Sequence, residues 1–115
     1  MWDITLPIVF FCFFYFLKLI ARIAQEEDIH SKELFDLLGN SLKVLQTAQS
    51  LRLLKTHFEI KLLAQQGVLE FDHYETEPFR LPLEQSDKIQ IEDVHLRAIR
   101  QSIQLQMNEY LNMNS

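Results

Sequence analysis

HFEIKLLAQQGVL, residues 57–69, decides the fold of this chain. Phe58, Ile60, Leu62 and Leu63 spread over nearly every side of a helical wheel, so the segment reads as a helix buried most of the way round. Gly67 ends it where a left-handed cap is wanted, a conformation that costs glycine nothing. A helix apolar on most sides has to stand at the centre of a bundle. Just upstream, Ser50 is placed to cap this helix, because its hydroxyl can accept from a free amide of the first turn. Leu51, Leu54, Phe58 and Leu62 form the main stripe, and Leu53, Ile60 and Leu63 widen it. The polar remainder is a narrow band: Arg52, Lys55, Glu59 and Gln66.

Helical spacing continues on both sides. ELFDLLGNSLKVL (residues 33–45) sets Leu34, Leu38, Leu42 and Leu45 on one stripe, which Phe35, Leu37 and Val44 broaden. Ser31 can cap that helix, with Glu33 in the first turn where the helix dipole favours an anion. Gly39-Asn40 weakens its middle, and a close approach of two helices is one reason to tolerate a glycine there. YFLKLIARIAQEED (residues 15–28) carries Phe16, Leu19, Ile20 and Ile23 opposite a polar stripe of Lys18, Arg22 and Gln25. A last helix starts near Glu92 and Asp93, with Leu96, Ile99, Ile103, Met107 and Tyr110 on one face. Between Gly67 and that helix, Pro78 and Pro82 bracket a few apolar residues, and the stretch reads as a packed loop. The expected fold is therefore all-α: a bundle of about four helices, with a central buried helix over about 50–66 and an irregular loop over about 68–90.

Composition narrows the function classes. At 115 residues the chain has room for one modest core. With 48% hydrophobic residues, two glycines and three prolines, it is neither disordered nor rich in linkers. A formal net charge of −5 argues against a free-standing nucleic-acid binder, since the phosphate backbone calls for a cationic surface. The single cysteine, Cys12, excludes an internal disulfide and a cysteine-based zinc site. Two glycines leave no phosphate-binding loop.

The head of the chain is unusually apolar. Residues 4–17 carry no charge and include Phe10, Phe11, Phe13, Phe14, Tyr15 and Phe16. A membrane span needs about 20 apolar residues, and this run reaches that length only by taking in Lys18. Pro7 suits a helix start better than the middle of a span. Three readings stay open: a buried or interface helix, a membrane anchor over residues 4–20 with the rest at the inner membrane surface, and an oligomer that hides the head between subunits.

YFLKLI, ELFDLL and HFEIKLLAQQGVL, in that order and spacing, resemble the helical C-terminal domain of the bacterial recombination and DNA repair protein RecO. The resemblance covers residues 15–111 and is clearest over 15–69, leaving 1–14 as an apolar head without clear counterpart and 112–115 as a tail. It implies an all-α scaffold, a cytoplasmic setting and work in DNA repair, DNA recombination and the response to DNA damage. RecO proteins also carry an OB-fold barrel that binds and anneals DNA, and many hold zinc through four cysteines after the central helix. Neither has a counterpart in these residues, so the expectation is a helical module alone: a shortened paralogue or a piece of a longer gene. Direct DNA binding is expected to be weak or absent, and no cofactor or metal is expected.

No catalytic constellation emerges, and the chain is read as non-enzymatic. His30, His57, His73 and His95 are scattered over different elements. His73 with Asp72, Glu75 and Glu77 reads as a solvated acidic loop sooner than a cation site. What the resemblance implies instead is docking: of the acidic, hydrophobic-ended tail of single-stranded-DNA-binding protein, and of a RecR-like partner. Such a tail needs a small apolar pocket rimmed with cations. The candidates are Arg52 and Lys55 on the central helix, His57 and Lys61 on an adjoining face, and Arg97 and Arg100 on the last helix; the competing reading is that these cations merely solvate the bundle, Lys55 pairing with Glu59.

Overall fold

A computed structural model describes residues 5–26, 31–69 and 77–113. Its elements are α1 (Thr5–Glu26), α2 (Ser31–Leu45), α3 (Leu51–Gln65), two short 3₁₀ turns (Glu77–Arg80 and Leu83–Lys88) and α4 (Asp93–Met113). No strand occurs among the described residues. The bundle of about four helices is the one that helical spacing predicts. Residues 1–4, 27–30, the 70–76 segment with Asp72, His73 and Glu75, and 114–115 lie outside the described residues.

Each helix buries one face, and α3 buries more than one. Leu54 and the unbroken run Thr56, His57, Phe58, Glu59 and Ile60 are all interior, as are Leu62 and Leu63. α1, α2, α4 and the second 3₁₀ turn pack around it. The ring of Phe16 on α1 stacks on Phe58, with centroids 4.0 Å apart and planes 17° from parallel. α4 contributes Leu96, Ile99, Ile103 and Met107, and the Tyr110 hydroxyl donates to Gln66 Oε1 over 3.0 Å. Arg22 closes the far end of the bundle, donating to the Leu111 carbonyl over 2.8 Å.

The ends of α3 follow from their residues. Ser50 Oγ accepts from the Leu53 amide at 3.2 Å, satisfying a first-turn donor that the helix leaves free. At the other end Gly67 has φ +72, the Gly67 amide donates to Ala64 O at 3.0 Å and Val68 to Leu63 O at 3.1 Å. That pair of bonds is a Schellman cap, which requires the left-handed residue at Gly67.

Three local expectations change. Gly39 is exposed and nothing lies within 4 Å of where a Cβ would sit, so no close helix approach explains it. Phe35 is 56% exposed: the buried face of α2 runs through Leu34, Leu37, Leu38, Ser41, Val44 and Leu45, and position 35 falls off its edge. Ser41 sits in the middle of that face because its hydroxyl donates to Leu38 O at 2.7 Å, so no polar group is left unpaired. Within the 68–90 stretch, the described part is more ordered than a loop. Phe79, Leu83, Ser86 and Ile89 are buried along the two 3₁₀ turns, which are too short to show helical periodicity in sequence. The Gln49 amide, donating to Asp87 Oδ1 at 3.1 Å, ties the α2–α3 connection to the second turn.

Candidate functional site

His57 belongs to the interior, not to a surface cluster of cations. Its side chain is fully buried, and its two ring nitrogens are committed to the irregular segment. Nε2 lies 2.9 Å from Leu81 O and 3.1 Å from Phe79 O, both acceptors, so Nε2 carries the proton. Nδ1 lies 2.8 Å from Ser86 Oγ. The Ser86 hydroxyl has one hydrogen for two acceptors, Nδ1 and the Leu83 carbonyl at 2.6 Å. Burial first, and nearby Lys61 second, push the imidazole down to about 4, while the two carbonyls and Glu84 pull the other way. The ring is neutral at physiological pH. It is a strut between α3 and the two turns.

Lys61 is turned away from the other candidate cations. It borders a shallow recess with Glu33, Asp36, Gln65 and Glu84, on the side of α3 that faces α2 and the second turn. Partial burial holds its ammonium below the usual lysine range, against the pull of Glu84. A cation set among carboxylates is a poor receptor for an acidic tail.

Arg52 and Lys55 frame a different surface. They rim a hollow of about 360 Å³ whose floor is Phe11, Cys12 and Tyr15 from α1 and Leu51 from α3. Lys55 borders a second recess of about 210 Å³, with Glu59 from α3 and Arg97, Arg100, Gln101 and Gln104 from α4. The two hollows share Lys55, so the fold gathers Arg52, Lys55, Arg97 and Arg100 along one side of the bundle, and leaves His57 and Lys61 elsewhere. Among the described residues no carboxylate pairs with Arg52, Arg97 or Arg100.

A small network fixes the junction of the two hollows. The Tyr15 hydroxyl donates to Glu59 Oε2 at 2.5 Å, and Lys55 Nζ lies 3.5 Å from Glu59 Oε1. The same ammonium stands 4.8 Å above the Tyr15 ring, within cation–π range. Glu59 is 5% exposed, a buried carboxylate held by a phenol and an ammonium. Burial, with the Glu59 charge added, pushes the Tyr15 phenol well above its usual range, so the hydroxyl keeps its proton. Cys12 is pushed up to about 11, by burial first, with Lys55 lowering it and Glu59 raising it; it is an unreactive thiol in the hollow's floor.

The sequence offers these cations as candidates and gives no sign of the apolar residues beside them. Phe11, Cys12 and Tyr15 come from a helix about forty residues upstream, and periodicity shows only that their helix is apolar. The one available hint was Glu59, a carboxylate set between Phe58 and Ile60, which demands a partner once buried.

Residues 8–70 match the protein family described as Recombination protein O C terminal. The chain belongs to that family. The match takes in most of α1 and all of α2 and α3, opens inside the apolar head, and contains every residue that floors and rims the larger hollow; Arg97 and Arg100 on α4 lie beyond it. No curated protein and no solved structure matches the chain. No helix among the described residues is long and apolar enough to cross a membrane, so an anchor over residues 4–20 is not favoured.

Proposed function

We propose that this RecO-like domain serves recombinational repair by protein docking rather than by chemistry, and that it receives the acidic, hydrophobic-ended tail of single-stranded-DNA-binding protein. The observation that carries the reading is the apolar hollow of Phe11, Cys12, Tyr15 and Leu51 with Arg52 and Lys55 at its lip. A terminal apolar ring would enter the hollow. Its carboxylate would meet the unpaired Arg52 guanidinium, which can hold it with two parallel bonds. Acidic residues further up the tail would run past Lys55 toward Arg97 and Arg100. A net charge of −5 supports docking of this local kind over binding along DNA.

Titration of the folded domain with a fluorescent peptide, acidic and ending in phenylalanine, tests the reading. Saturable binding is expected that weakens as salt rises, about tenfold or more weaker for Arg52→Glu, whose side chain is exposed and whose loss leaves the core intact. A peptide of the same composition with its phenylalanine moved from the end is the control. Equal affinity for both peptides, or an unchanged affinity for Arg52→Glu, removes this site.

A further inference from the structure

α1 carries two apolar seams. Cys12, Phe16, Leu19 and Ile23, spaced 4, 3 and 4 residues apart, are buried in the bundle. Phe10, Phe14, Leu17 and Ala21 repeat that spacing on the opposite side, and all four are exposed, Phe10 at 57%, Phe14 at 56% and Leu17 at 39%. This is the alternation of a two-helix coiled-coil seam. Phe11, 76% exposed, adjoins it, and Lys18 and Arg22 lie on the same flank of the helix.

We infer that the outer seam of α1 pairs with the same seam of a second copy of this chain, the two helices running antiparallel. A 4-3-4 spacing reads the same in both directions, so a twofold axis between Phe14 and Leu17 returns the seam onto itself. Under that axis Phe10 faces Ala21 of the second copy and Phe14 faces its Leu17. Bulky side chains meet smaller ones in every layer. A parallel pair would instead stack Phe10 on Phe10 and Phe14 on Phe14 at one end, and leave alanine against alanine at the other. The same axis sets Arg22 of one copy level with position 9 of the other, two residues or about 3 Å along the helix from Phe11, which lies on the same flank as Arg22. Taking about 200 Å² for a phenylalanine side chain, the three rings leave roughly 380 Å² bare on each copy. A pair then covers roughly 760 Å² from the rings, well under the roughly 1,200 Å² at which interfaces become strong, so the dimer is weak and forms and dissociates with concentration. Because Phe11 both flanks this seam and floors the hollow, the second copy stands beside the docking site. The inference itself needs no docking.

Sedimentation over a wide concentration range tests it. The weight-average mass is expected to climb from the 13.7 kDa of one copy toward twice that value, and Phe14→Lys, at an exposed position, is expected to stay at one copy with its helical circular dichroism unchanged. Orientation is read from cross-linking. A mixture of Phe10→Cys and Ala21→Cys chains should form a disulfide between the two variants. Ala21→Cys alone should not, since antiparallel pairing holds the two Ala21 positions beyond the roughly 7 Å that a disulfide spans. The chain with Cys12 alone is the control. One copy at every concentration overturns the inference, as does self-cross-linking of Ala21→Cys without the mixed product. A monomer that co-sediments with phosphatidylglycerol vesicles and releases in salt also overturns it, and assigns the seam to a lipid surface.

Discussion

His57 Nδ1 lies 2.8 Å from the Ser86 hydroxyl, across 29 residues of sequence, and this contact makes α3 the anchor of the irregular segment. It also makes the fold sensitive to acid. His57 has an ordinary value of 6.5 unfolded and about 4 when folded. Above 6.5 both states are neutral and the strut is fully effective. As pH falls through 6.5 the unfolded chain takes up a proton that the folded one refuses, so stability drops until about 4 and then levels off as far as this group is concerned. The interval corresponds to about 3 kcal/mol. Urea unfolding at pH 7 and pH 4.5 should show the fall. Proton NMR should place the His57 titration well below the ordinary histidine value of 6.5, and a His57 titrating near 6.5 in the folded chain would remove the strut from the account.

The strut itself can be weakened at its other end. Ser86→Ala strips Nδ1 of its hydroxyl partner inside the core, which should cost about 1–3 kcal/mol, the penalty for a buried acceptor left without a donor. The effect should be largest at neutral pH. Equilibrium unfolding reads it.

The two glycines should respond in opposite directions to the same substitution. Gly39→Ala adds a Cβ into open space in the middle of α2 and should stabilise the fold by about 0.5–1 kcal/mol, since alanine loses less backbone freedom in a helix. Gly67→Ala forces a side chain into φ +72 and should cost about 1–2 kcal/mol. Thermal melts of the two variants suffice. A destabilised Gly39→Ala would mean that α2 has a neighbour outside this chain.

Helical spacing is a local property, and the parts of the fold it governs were legible: α3 with its Ser50 and Gly67 ends, the inner face of α1, the stripe of α4. What it could not show is which cation meets which apolar residue. His57 looked like a member of a basic band because one turn of helix separates it from Lys61, yet its ring is claimed by Phe79, Leu81 and Ser86, which no periodicity connects to it. Arg52 and Lys55 were visible as exposed cations, but their hollow needs Phe11 and Tyr15, delivered by packing α1 on α3. Spacing puts Glu59 in the polar band of α3 for a related reason. A polar residue reads as surface until the bond that allows its burial is seen.

The two faces of α1 should separate cleanly under truncation. Phe16→Ala removes a fully buried ring stacked on Phe58 and should cost about 3–5 kcal/mol, from lost burial and the cavity left behind. Phe14→Ala, at a residue 56% exposed, should change the stability of the single copy by no more than about 0.5 kcal/mol. Measuring both at low protein concentration keeps any pairing between copies out of the comparison.

The Tyr15–Glu59–Lys55 junction invites a double-mutant cycle. Glu59 is 5% exposed, and the Tyr15 hydroxyl at 2.5 Å is its closest donor. Tyr15→Phe keeps the ring that floors the hollow, and the face beneath Lys55, but leaves a buried carboxylate dependent on an ammonium 3.5 Å away. The expected cost is about 1–3 kcal/mol. In a Glu59→Gln background the same substitution removes only a bond between neutral groups, and should cost distinctly less, with a coupling of about 1 kcal/mol or more between the two positions. Peptide affinity supplies the second readout. If the junction only positions Lys55, Tyr15→Phe should weaken binding of the acidic peptide modestly and leave its salt dependence intact, whereas Lys55→Met should flatten that dependence. A cycle with no coupling would show that Glu59 is held by Lys55 alone, and that Tyr15 contributes its ring and nothing else.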